Sequence, residues 1–282
     1  MKKILTLVLI GASSLSFSQF DFNPKDLLKV LSGSMESDRP GQALNARTCG
    51  ILTAQIQTGG NLQRWNSGID NSANIFSTPT QIRFGLFPKF ELNTSFSFVH
   101  VNQSTFIGPI TSSGFPSPNI GARYTVLEGD GFKPFVGIQA NMSFPSSKGT
   151  YQQPQLGSSF YLITSNRFES FSINTNVGAV FGGGGSGQVA VPYVFNVGFS
   201  LNDKWGAFVE AFGSLRNPTL ALDGGFSFLA LPTLQLDAFG GWFASSPVSN
   251  NFFVELGLTW KYSFLEMIAK KKLNEMLGGG KK

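Results

Sequence analysis

The stretch Phe252-Phe253-Val254-Glu255-Leu256-Gly257-Leu258-Thr259-Trp260-Lys261-Tyr262-Ser263-Phe264 repeats with a period of two. Its even positions are Phe, Val, Leu, Leu, Trp, Tyr and Phe, and its odd positions run Phe, Glu, Gly, Thr, Lys and Ser. Successive side chains of a strand point to opposite faces, so this stretch reads as a strand with one apolar face and one wet face. Val189 to Leu201 repeats the pattern, with Val, Val, Tyr, Phe, Val, Phe and Leu on odd positions. In Phe171 to Phe181, Ile173, Thr175, Val177 and Ala179 face Ser172, Asn174 and Asn176.

Read outward from these three, the chain divides into twelve segments: 50–59, 78–87, 90–100, 117–127, 133–144, 157–165, 168–181, 188–201, 205–214, 219–229, 233–243 and 251–264. The sixth carries the weakest signal, because Phe160-Tyr161-Leu162-Ile163 does not alternate. Most segments reach the roughly 9–11 residues a tilted membrane strand needs. Pro88-Lys89, Gly129-Asp130-Gly131, Asn166-Arg167, Asn202-Asp203-Lys204 and Leu231-Pro232 read as tight turns. Between them fall the longer connections 60–77, 101–116, 145–156, 182–187, 215–218 and 244–250. Short and long connections alternate, as periplasmic turns and external loops do in an outer-membrane barrel. The predicted fold is all-β: a transmembrane antiparallel up-and-down β-barrel of twelve strands, with both termini on the periplasmic side.

Charge placement agrees with that reading. Arg83, Glu91, Arg123, Lys133, Glu210, Asp223, Asp237, Glu255 and Lys261 all fall on the polar parity of their segments. That is where a barrel must put them, since a lipid-facing Arg or Lys at the midplane costs about 2–4 kcal/mol. Outward-parity aromatics gather at strand ends: Phe90, Trp205, Trp260, Tyr262 and Phe264 at the lower rim, Phe181 and Trp242 at the upper.

The composition excludes other classes. Charged residues are 13% of the chain, about half the share in an ordinary soluble domain. Aromatics are also 13%, too much apolar surface for a disordered chain. After residue 20 no run of 18 apolar residues appears, so a multi-span helical protein is excluded. Of the net charge of +5, Lys2 and Lys3 supply two units; five Lys against Glu266 and Glu275 beyond Phe264 supply three. Residues 19–264 are therefore balanced, and the basicity gives no reason to expect a nucleic-acid partner.

Residues 1–18 read as a signal peptide: Lys2-Lys3, an apolar run from Ile4 to Ile10, and Ser16-Phe17-Ser18 as a small-x-small cleavage site. Residues 19–49 form an N-terminal segment, a lumenal plug or a periplasmic extension that meets a partner. Asn23 can cap a helix from Pro24 through Leu27, Leu28, Val30 and Leu31. The barrel spans 50–264, and 265–282 is a basic tail whose Leu265 to Leu277 reads as a short helix. With Cys49 the only cysteine, no intrachain disulfide is expected.

Ser37-Asp38-Arg39-Pro40 precedes the first strand, Ile51 to Gly59. Thr78-Pro79-Thr80-Gln81-Ile82-Arg83-Phe84-Gly85-Leu86 and Phe87-Pro88-Lys89-Phe90-Glu91-Leu92 follow. Over residues 37–98 the chain resembles the outer-membrane barrel family labelled for the meta-pathway of phenol degradation, whose members are described as transporters. In that family an Asp-Arg-Pro motif precedes an amphipathic strand and a hairpin of the Arg-x-Gly-Leu…Glu-Leu kind. The resemblance implies an outer-membrane location and transport of small, in part aromatic, compounds.

Two sets of residues are candidates for function. The nine inward charges are one: they either line a pathway or satisfy one another. The other is apolar, with Phe208, Phe212, Phe239, Phe243 and Phe253 on inward parity, a patch that could accept an apolar or aromatic solute. Loops or the N-terminal segment packing there would give the same pattern. No enzyme is expected: His100 is the sole histidine, and no Ser is marked as its partner. No cluster has metal-ligand spacing, so no metal or cofactor is expected. Gly182-Gly183-Gly184-Gly185-Ser186-Gly187 lacks the Lys of a phosphate loop. The expected activity is a pore or passive transporter in outer-membrane lipid; the alternative is a structural barrel binding an envelope protein.

Overall fold

A computed structural model describes residues 34–66, 71–145, 155–182, 189–244, 251–268 and 271. The expected signal peptide, the helix from Pro24 and most of the C-terminal helix lie outside the described residues; Phe264 to Ile268 are helical.

The strands are β1 Thr53–Asn66, β2 Ser72–Ser77, β3 Thr80–Phe87, β4 Phe90–Phe96, β5 Val99–Thr105, β6 Gly108–Gly114, β7 Asn119–Leu127 and β8 Phe135–Ser143. They continue as β9 Gly157–Arg167, β10 Phe171–Phe181, β11 Pro192–Ser200, β12 Trp205–Ser214, β13 Thr219–Leu231, β14 Leu234–Trp242 and β15 Phe252–Ser263. Twelve of them, β1, β3, β4 and β7 to β15, pair antiparallel with their neighbours in that order, and β15 pairs back with β1 from Thr53↔Ser263 to Arg64↔Phe252. The sheet therefore closes into a twelve-stranded barrel with no free edge at the lipid belt, as the alternation requires.

Burial inverts the pattern of a soluble protein. Val209 is 56% exposed and its neighbour Glu210 3%. Leu256 is 69% exposed beside Glu255 at 6%. The apolar parity forms an outer belt for lipid, and the polar parity fills the interior. Even Phe160-Tyr161-Leu162-Ile163 obeys: Phe160 and Leu162 face out, and Ile163 is fully buried. Its periodicity is hidden because both faces of that strand are apolar. At the lower rim Trp260 and Tyr262 lie 6.0 Å apart and Tyr262 and Phe264 4.8 Å apart.

Three strands correct the expected loops. Connections 60–77 and 101–116 are largely strand: β2 pairs with the far half of β1 (Asn61↔Ser77 to Asn66↔Ser72), β5 with β2, and β6 with β5. They extend one side of the barrel beyond the belt. β2 runs on into β3 across Thr78-Pro79, where proline has no N–H for the ladder. Asn61, Gln63, Asn74, Asn102 and Ser112 give the extension the polar composition of a loop. Beyond the lipid neither face is excluded from water, so the apolar-polar contrast that marks a barrel strand is absent.

Candidate functional site

Inside the barrel runs the chain that precedes β1. Residues 34–52 form no helix or strand, yet Glu36, Asp38, Ala43, Ala46 and Cys49 are buried. Backbone groups without a ladder must find other partners. Here the barrel wall supplies them.

Arg83 on β3 and Arg123 on β7 are both fully buried. Arg83 donates from Nε and Nη2 to the two oxygens of Glu91, at 2.8 and 2.9 Å. It also donates to the carbonyls of Glu36 at 2.6 Å and Arg47 at 3.1 Å. Arg123 grips Asp38 with both Nη atoms, at 2.9 and 2.7 Å, and donates to the carbonyl of Asn45 at 2.9 Å. Such fork-to-fork pairs fix geometry as well as charge. Burial alone would push the Asp38 carboxyl up, but Arg123 and Arg83 hold it below the usual carboxylate range. Burial also opposes ionisation of Glu36, and Arg167 and Arg47 overcome it in the same way.

The next residue along the segment meets a different wall. Arg39 donates to Asp237 of β14 at 2.7 and 3.2 Å, and to Glu255 of β15. Its guanidinium also lies over the Phe239 ring, 5.7 Å from the centroid. Glu210 of β12 accepts the successive backbone N–H groups of Gln42 and Ala43, at 2.7 and 3.0 Å, a small anion nest. Asn176 of β10 both accepts from the Leu44 N–H (2.7 Å) and donates to the Leu44 carbonyl (3.1 Å). Glu91 accepts the Cys49 N–H at 2.8 Å, and Lys261 Nζ donates to the Ser34 carbonyl at 3.2 Å.

Seven of the nine predicted inward charges thus bind the segment: Arg83, Glu91, Arg123, Glu210, Asp237, Glu255 and Lys261. Asp223 is buried in the interior as well, but among the described residues neither of its carboxylate oxygens has a hydrogen-bond partner. Lys133 is a correction. It is exposed in the connection before β8, where it pairs backbone to backbone with Asp130. Pro134 cannot donate to the ladder, so β8 begins only after it. The segment's own charges, Glu36, Asp38, Arg39 and Arg47, were not foreseen as site residues. The available signal was partial segregation: Arg83 and Arg123 stand on β3 and β7 and four carboxylates on β12 to β15, with Glu91 and Lys261 as exceptions, a pattern that a partner carrying both signs would match.

The five phenylalanines do come together. Phe208, Phe239 and Phe253 are buried, and Phe212 and Phe243 pack against them. Ring centroids lie 5.8 to 6.5 Å apart from Phe208–Phe239 through Phe243–Phe253, mostly edge to face, and Trp65 adds a contact to Phe243 at 5.4 Å. The rings fill the space between β12 and β15 by packing on one another. His100 also gains a neighbour that strand reading missed: β5 pairs it with Ser113 of β6, its Nδ1 2.6 Å from Ser113 Oγ, on the exposed extension. Among the described residues no carboxylate bonds to either of them.

The segment leaves space at both ends of the lumen. At the end with short turns is a cavity of about 530 Å³, lined by Arg39, Leu44, Asn166, Asn196 and Phe208 among others. At the other end two adjoining cavities of about 370 and 360 Å³ share Gln42, Leu44, Gln81, Ser95 and Asn119. Phe208 lines the first space and Phe212 one of the second pair, so the aromatic wall runs from one side of the segment to the other.

No protein-family model matches the chain, and no curated protein matches it significantly. Solved structures do. An outer-membrane channel from Pseudomonas putida F1 matches 79% of this chain and 99% of its own, with a TM-score of 0.60 and 11% identity. The KdgM porin matches 74% and 99%, with a TM-score of 0.52 and 10% identity. It is also similar as solved in complex with disordered oligogalacturonate, with a TM-score of 0.51. At these identities the likeness is one of fold. A closed barrel of this fold, with an apolar belt outside and charges within, is an outer-membrane β-barrel.

Proposed function

We propose that the protein is an outer-membrane channel for small solutes, held closed by residues 34–52 and opened when that segment gives way. One observation carries this reading: water-accessible space lies in the lumen on both sides of the segment, and Asp38, Arg39 and Leu44 of the segment border it on both sides. A barrel filled by its own wall side chains would have no such spaces. The segment is held by polar contacts rather than by an apolar core, and polar contacts can be exchanged for water at low cost. Short turns would face the periplasm, as in other barrels of this kind.

The solutes are small molecules with an apolar or aromatic face, for which the Phe208–Phe212 wall supplies a path past the segment. Neither charge sign dominates the interior, so the channel passes solutes without strong ion selectivity. Conductance in planar bilayers tests the proposal. Wild-type protein should be nearly silent with brief openings, and Asp38→Ala should give discrete, sustained steps. A segment-released variant that stays silent would overturn the channel reading.

A second reading, a structural barrel that binds an envelope protein, is favoured by the density of bonds that close the lumen. Silence in bilayers together with stable co-purification of an envelope protein would support it.

A further inference from the structure

The two lumenal ends differ in chemistry, and the difference names a ligand. The cavity of about 360 Å³ at the long-connection end is within the range of small-molecule sites. Its walls are Gln81 of β3, Asn93 and Ser95 of β4, Asn119 of β7, Gln139 and Asn141 of β8, and Tyr161 of β9. Its floor is Gln42 and Leu44 of the lumenal segment, and Phe212 stands on the far side. None of its described lining residues is charged, although Gln139 accepts from the buried Arg123 and the Gln42 N–H donates to the buried Glu210. The adjoining cavity touches Asp38 and Arg39, but both are neutralised by Arg123 on one wall and Asp237 and Glu255 on another.

These amides are partly committed to one another. Gln139 Nε2 donates to Asn141 Oδ1 at 3.1 Å, Asn141 Nδ2 to Ser159 Oγ at 3.1 Å, and Asn119 Nδ2 to Ser95 Oγ at 3.3 Å. Asn93 is not. It is 5% exposed, it lines the cavity, and among the described residues its Nδ2 has no hydrogen-bond partner. A buried donor left unpaired is costly and calls for an acceptor.

We infer that this cavity binds an uncharged, multiply hydroxylated ring, a neutral saccharide or polyol of monosaccharide size. An amide offers donors and an acceptor together, as a hydroxyl does, so a ring of amides matches a ring of hydroxyls. The apolar C–H face of such a solute can lie on the Phe212 ring, whose face is electron-rich. A carboxylate-bearing sugar would lose its hydration with no cation in the lining to replace it. The inference rests on the channel reading and adds to it a second solute class, neutral and polyhydroxylated, that enters from this end beside the aromatic-faced solutes proposed above.

Calorimetric titration of the full-length protein in detergent micelles tests it, with D-glucose, D-glucuronate and toluene as probes. Glucose should bind saturably, with glucuronate at least about tenfold weaker. Asn93→Leu should weaken glucose binding by about fivefold or more, the loss of roughly one hydrogen bond. Heat-shifted electrophoretic mobility reports whether the variant folds; if it does not, Asn119→Ala and Ser95→Ala carry the same expectation. Absence of glucose binding, equal glucuronate binding, binding of toluene alone, or unchanged affinity in a folded variant would overturn the inference. Conductance separates this from the channel reading: a pore that conducts but binds no glucose overturns the site alone. Saturable glucose binding in a barrel silent under every segment release overturns the channel alone.

Discussion

Asp38 and Arg39 are adjacent in the chain and are held by different walls of the barrel. Asp38 lies 2.7 Å from Arg123 on β7, and Arg39 lies 2.7 Å from Asp237 on β14. An extended backbone points successive side chains in opposite directions, so a two-residue sequence of opposite charge can span a lumen whose walls carry the complementary charges. In the channel proposed above, this pair is the centre of the closed state.

Breaking the pair should open the lumen and destabilise the barrel. Asp38→Ala leaves Arg123 buried without its carboxylate, and loss of one partner of a buried ion pair costs about 3–5 kcal/mol. The thermal midpoint should fall and sustained conductance should appear. Unchanged conductance in a folded variant would show that the segment does not gate.

Cys49 offers a direct reporter of segment position. It is buried, its Sγ donates to the Thr53 carbonyl at 3.4 Å, and burial pushes its thiol up to about 12, with Glu91 adding to the effect and Arg83 opposing it. The thiolate is the reactive form. Maleimide labelling at pH 8 should therefore be slow in the native protein, and at least about tenfold faster in Asp38→Ala as burial is lost. Equal rates would mean that the segment stays docked.

Acid should release the segment. The Asp38 and Glu36 carboxyls are held below their ordinary values of 3.8 and 4.5. A carboxyl lowered on docking stabilises the docked state fully above its ordinary value, and that contribution fades as pH falls through the lowered one. Cys49 accessibility, probed with a thiol-disulfide reagent active in acid, should rise below about pH 4 as these two carboxyls protonate. A rise between pH 7 and 5 would assign the release to other groups.

Asp223 should be dispensable for the fold. It is buried, lacks hydrogen-bond partners among the described residues, and lies directly across from Glu210. Asp223→Asn removes a buried carboxyl that has no partner and should raise stability by about 1–3 kcal/mol, read as a higher midpoint of the heat-induced mobility shift. A lower midpoint would show that the carboxylate has a stabilising partner.

Phe212 and Phe243 test the aromatic wall. Replacing both with Ser removes rings from the cluster that borders the solute path and should weaken block of the conductance by aromatic solutes. Unchanged block would assign the five phenylalanines to packing alone.

How much of this was legible beforehand follows from where the physics is local. Lipid on one face and water on the other impose alternation on each strand separately, so Phe252 to Phe264 could be read residue by residue, and closure of twelve such strands followed from the need to leave no edge. The same rule placed Arg83, Arg123, Glu210 and Glu255 inside. It failed where its cause was absent: the β2, β5 and β6 extension stands outside lipid, and Lys133 sits before a proline that delays its strand. The motif Ser37-Asp38-Arg39-Pro40 was visible, but its partners are 85 and 198 residues away along the chain. Only closure of the barrel brings Arg123 and Asp237 to face one another across a common space. The sequence alone therefore determined which face of each strand is wet. The tertiary structure alone decided what fills the wet interior, because that depends on which walls meet, and strand periodicity carries no information about distance across a lumen.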